Sequence, residues 1–115
     1  MPTSKKMIVT VTSNCFDYNH VGNEWGELFS VNGYQISSGA IVDVSINKTV
    51  KVFTQIVEYD SIPDIGQGSY SFTIKKDYFE NGFYITQTIY VKENRGRYSG
   101  NIATWTVKYD FKPLS

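Results

Sequence analysis

The residues able to do chemistry gather in three polar stretches. Asn14 to Gly26 holds the carboxylates Asp17 and Glu24, three asparagines including Asn19, the single histidine His20 and the single cysteine Cys15. Glu58 to Gly66 adds Glu58, Asp60 and Asp64, and neither stretch contains a lysine or arginine. Glu93 to Asn101 carries Arg95 and Arg97. Hard cations such as calcium take several oxygen ligands from carboxylates, amides and backbone carbonyls. Asp17, Glu24, Glu58, Asp60 and Asp64 are therefore the candidate metal ligands, provided the first two stretches meet. Arginine forks pair bidentately with carboxylates. Arg95 and Arg97 either lock onto Asp60, Asp64 or Glu24, or join Asn19 and His20 in holding a ligand's carboxylate or phosphate. Aspartate, asparagine and glycine are also ordinary turn residues, and the fixed spacing of an EF-hand is missing, so plain turns are the simpler reading.

Catalysis finds less support. Covalent hydrolysis needs a nucleophile, a base and an orienting acid, and the candidate pair, Cys15 with His20, sits five residues apart in no recognised signature. A catalytic zinc wants several histidine or cysteine ligands, and the chain has one of each. The expectation is a domain that is not an enzyme.

The elements that must position these stretches are strands. Apolar residues recur at every second position, with β-branched and aromatic types dominant. Between Asn101 and Phe111, Ala103, Trp105, Val107, Tyr109 and Phe111 share one face. From Phe83 to Lys92, Phe83, Ile85, Ile89 and Val91 point inward, while Tyr84, Thr86, Thr88, Tyr90 and Lys92 point outward. Further strands are expected over Met7–Ser13, Glu27–Val31, Tyr34–Ser37, Ala40–Ile46, Thr49–Tyr59 and Ser69–Lys75. Asn32-Gly33 reads as a tight hairpin turn, because both residues accept positive φ. Eight short strands without a crossover helix predict an all-β fold, an antiparallel two-sheet sandwich. If each strand crosses once, the connections at Asn14–Gly26, Ser38-Gly39, Asp60–Gly68 and Glu93–Gly100 share one end. Function on a sandwich usually sits on such clustered loops.

Charge narrows the partners. Acids and bases balance at eleven each, so no global field recruits nucleic acid or an anionic membrane. Between Met7 and Ile74, seven acids stand against Lys48 and Lys51, whereas Lys75 to Ser115 is net basic, which predicts a dipolar domain. A chain of 115 residues supports one core. Residues 1–6 are expected to form a disordered tail ahead of a single domain over 7–115, and the expected state is a monomer. The lone cysteine permits no internal disulfide. The start Met-Pro-Thr-Ser-Lys-Lys lacks the apolar core of a signal peptide. An extracytoplasmic bacterial setting is expected if the natural chain begins earlier, and a cytoplasmic one otherwise.

The stretches Asn19-His20-Val21-Gly22-Asn23-Glu24-Trp25, Glu58 to Gly66, and Glu93-Asn94-Arg95-Gly96-Arg97-Tyr98 resemble small uncharacterised bacterial β-sandwich domains. With acidic loops at one end, the layout is similar to a C2-like domain. That resemblance implies calcium held by loop aspartates, here Asp17, Asp60 and Asp64, and sometimes membrane docking. The usual set of closely spaced aspartates is incomplete and no basic strip is evident. The functional expectation is a non-enzymatic interaction or ligand-binding module using its acidic and arginine-bearing loops, with calcium as the candidate cofactor and an unidentified protein or small molecule as partner. The alternatives are carbohydrate binding through the outward tyrosines Tyr84 and Tyr90, and a purely structural accessory domain.

Overall fold

In the computed structural model, residues 3–18, 21, 24–59, 63–93 and 100–114 are described. Eight strands and one short helix follow in the order β1 (Ser4–Asp17), β2 (Trp25–Val31), β3 (Tyr34–Ile36), β4 (Ala40–Ser45), β5 (Thr49–Glu58), β6 (Asp64–Thr73), α1 (Lys76–Asn81), β7 (Phe83–Lys92) and β8 (Ile102–Pro113). They form two antiparallel four-stranded sheets, ordered β4-β1-β8-β7 and β3-β2-β5-β6. The all-β sandwich is thus the fold. No helix among the described residues is long and apolar enough to cross a membrane.

Alternation builds the core. Val107, Tyr109 and Phe111 of β8 are fully buried, as are Met7 and Val9 of β1 and Val52 and Ile56 of β5. Burying such side chains contributes roughly 1.5–3 kcal/mol each. Asn32 and Gly33 take φ of 53° and 85°, the left-handed region the hairpin requires.

One polar network crosses between the sheets. The Thr54 hydroxyl donates to Gln87 Oε1 at 2.5 Å and lies 2.7 Å from Tyr109 Oη. Tyr109 Oη in turn donates to the Phe53 carbonyl at 2.8 Å. Burial pushes the Tyr109 phenol up to about 12, although its bond to Thr54 pulls the other way. Tyr109→Phe is expected to cost about 1–2 kcal/mol at neutral pH, measured by chemical denaturation, because the Phe53 carbonyl loses its donor and the Thr54 hydroxyl loses a partner. The raised folded value favours the neutral phenol. Its contribution is complete below the ordinary tyrosine value of about 10 and is lost as pH rises toward 12. The variant should lose stability less steeply over that interval.

Three expectations are corrected. β1 begins at Ser4, so the tail expected over residues 1–6 is partly strand: Ser4, Lys5 and Lys6 pair with Ser45, Val44 and Asp43. Lys6 Nζ also reaches Asp43 Oδ1 at 3.1 Å. These residues lack an apolar pattern, and β4 supplies their order instead. The stretch 76–81, between the strands expected to end at Lys75 and to begin at Phe83 and so left as a connection, is helix α1, too short for its period to register in sequence. Finally, the Ser38-Gly39 turn does not join the other long connections. β4 pairs only with the Ser4–Val9 half of β1, so the turn sits beside the middle of β1. There Gly39 N donates to the Val9 carbonyl at 2.7 Å, and Val11 N donates to Ser38 Oγ at 2.9 Å.

Candidate functional site, a carboxylate centre at the loop end

The remaining three connections leave from one end. β5 and β6 are paired to their tips, where Glu58 lies opposite Asp64. Both face inward, because Glu58 continues the buried series Val50, Val52, Thr54 and Ile56. β6 reaches the first sheet through glycine: a Cβ on Gly66 would run into the backbone carbonyl of Tyr90, and one on Gly68 would meet Ile89 Cδ1 at 3.1 Å. Glycine at these positions therefore lets β6 lie directly against β7. One inward step beyond Gly66 is Asp64, and one beyond Val91 is Glu93. The Glu93 backbone is fixed at the neck of the β7–β8 connection, its N–H donating to Asn101 at 2.8 Å and its carbonyl accepting from Gly100 at 2.7 Å.

Glu58, Asp64 and Glu93 thereby come together. One carboxylate oxygen from each lies within 4.8 Å of the others. Their exposures are 4%, 2% and 7%, so three acids are sheltered in one place. Each also makes polar or electrostatic contact with its surroundings. Ionised carboxylates this close repel in a low-dielectric setting, and an opposing charge beside them is stabilising.

Aromatic packing roofs this end. Trp25 and Trp105 meet at 5.1 Å between ring centres, and Tyr18 packs on them at 5.8 Å and 6.1 Å. Val21 is buried in the core cluster, which anchors it to the sandwich, and its N–H donates within the β1–β2 connection to the Tyr18 carbonyl at 2.9 Å. Tyr59 covers Gly26, and its N–H donates to the Glu24 carbonyl at 2.7 Å, tying the β1–β2 connection to the start of the β5–β6 connection.

Of the five carboxylates expected as metal ligands, Glu58 and Asp64 are brought together. Asp17 and Glu24 lie on the exposed surface and outside the cluster found among the described residues. Asp60, Asn19, His20, Arg95 and Arg97 lie outside the described residues. Sequence reasoning missed Glu93 as a ligand, although the inward alternation of β7 extended by one step would have found it. Cys15 is half-buried, and burial, with Asp17 nearby, pushes its thiol up while a backbone hydrogen bond from Asp17 opposes the shift. A raised thiol holds less of the nucleophilic thiolate near neutral pH.

Neither a protein-family model nor a curated protein matches this chain.

Proposed function

We propose that this domain is a non-enzymatic binding module whose loop end takes a hard divalent cation, with calcium as the leading candidate, at Glu58, Asp64 and Glu93. The observation that carries the reading is the meeting of three buried carboxylates from the tips of three strands within 4.8 Å. Calcium binds oxygens at 2.3–2.6 Å, so the ligands of one ion lie within roughly 5 Å of each other, and three carboxylates offer up to six oxygens. The resemblance to C2-like domains implies the same ion, and Asp64 is the aspartate it shares with this centre. An ion here would tie β5, β6 and β7 together at the end from which the connections carrying Asp60, Arg95 and Arg97 leave.

Calcium titration followed by thermal melting tests it. A ligand that binds only the native state adds about 2.7 kcal/mol at a hundredfold excess over Kd. Asp64→Asn and Glu93→Gln should abolish that gain. The opposing account has Arg95 or Arg97 supplying the counter-charge. Calcium would then shift neither the melting temperature nor the amide resonances of Glu58, Asp64 and Glu93, and Asp64→Asn would destabilise the metal-free protein by stranding a guanidinium.

A further inference from the structure

We propose that the outer side of β7, with the adjoining face of β8, is a binding surface for a neutral oligosaccharide. Four tyrosines are exposed along this side of the molecule: Tyr70 at 47%, Tyr78 at 40%, Tyr84 at 66% and Tyr90 at 61%. Tyr70, Tyr78 and Tyr84, with Phe72 and Phe83, line a cleft of about 220 Å³ where β6 meets β7 at the edge of this surface. This is room for a single sugar ring. Tyr90 lies on the same face of β7 as Tyr84, six residues further on, about 20 Å at the rise of a strand. A short oligosaccharide spans that interval, and a monosaccharide does not.

The surface between the two rings selects the ligand class. Thr86 and Thr88 point outward between Tyr84 and Tyr90, and Thr88 is paired with Thr106 of β8, which is also exposed. A hydroxyl both donates and accepts, which matches a ligand made of hydroxyls. A pyranose also presents a flat C–H face, and an aromatic ring with a polar tip accommodates both parts. From Phe83 to Val91 β7 has no charged residue, and on the adjoining face of β8 Lys108 is balanced by Asp110, so the surface offers an anionic or cationic chain no net charge to pair with. A protein partner would want an apolar interface core, whereas the outward positions between the two tyrosines are threonines. Two of these rings have packing partners. Lys108 Nζ sits 4.6 Å above the Tyr84 ring, and Tyr78 packs on Phe83 at 5.2 Å. A platform fixed before binding loses less freedom on binding.

This surface is separate from the carboxylate centre and stands without it. Affinity electrophoresis of the intact domain in native gels containing hydroxyethyl cellulose, mixed-linkage β-glucan, xylan or glucomannan tests the proposal. At least one gel should retard the protein, and retardation should persist at high salt, where exposed charge pairs are screened. Tyr84→Ala and Tyr90→Ala should each weaken binding about tenfold with the melting temperature unchanged, and Asp64→Asn should bind as the parent does. Migration unaffected by all four polysaccharides overturns the proposal. So does retardation that both tyrosine variants retain, or that Asp64→Asn alone removes.

Discussion

Gly66→Ala will cost about 2–3 kcal/mol of stability and move Asp64 away from Glu93. The added methyl meets the main-chain carbonyl of Tyr90 and Val91 Cγ2. A side chain can rotate out of the way, but a main-chain carbonyl cannot move without shifting the strand β7 that carries it. β6 must therefore retreat from β7 just below the carboxylate centre. Gly33→Ala provides the contrast: its φ of +85° is strained for alanine, yet nothing lies within 4 Å of the new methyl. That change should cost about 1 kcal/mol and leave the loop end alone. Urea denaturation of both variants, with amide shifts at Asp64 and Glu93, checks the pair. Equal losses of stability, or unchanged shifts in Gly66→Ala, would show that β6 does not position the centre.

Phe111→Ala should have the largest effect of any single change, about 3–5 kcal/mol. Phe111 is fully buried, stacks on Phe83 at 4.6 Å and meets Phe72 edge-on at 6.5 Å. It also sits between Val9 and Phe83 in the ladders that join β8 to β1 and to β7. Its removal opens a cavity where both sheets meet, and the rigid rings around it cannot collapse to fill the space. Domains of this kind have total stabilities of about 5–15 kcal/mol, so the loss is a large share. A thermal melt should show a drop of more than about 10 °C. Phe111→Leu should recover most of it, and if it does not, ring stacking rather than volume dominates.

The parts legible in the sequence are those where one face of a strand is wet and the other dry. β7 was readable to its ends, and the inward set of β8 from Ala103 to Phe111 is buried throughout. β6 was less legible. It begins at Asp64, five residues before the expected Ser69, because Gly66 and Gly68 lack the bulk that marks a strand. Their smallness is dictated by β7, a neighbour that local pattern cannot reveal. The same blindness placed Asp64 in a loop, although it is the first inward residue of a strand. Counting strand direction correctly brought the ends of β5, β6 and β7 to one place. It failed for β3 and β4, since a three-residue strand does not traverse the sandwich.

β1 and β8 are neighbours, paired from Met7–Pro113 to Asp17–Thr104, and Leu114 N donates to the Lys6 carbonyl at 3.3 Å. Both ends of the described chain therefore emerge side by side, away from the carboxylate centre. A pull separating Ser4 from Leu114 acts across this ladder, so its hydrogen bonds break in succession, as in a zipper. A pull between Val21 and Leu114 runs along the strands and loads many bonds at once. Resistance to force is thus set by where the domain is held: low when tension passes between its two ends, high when the loop end is gripped.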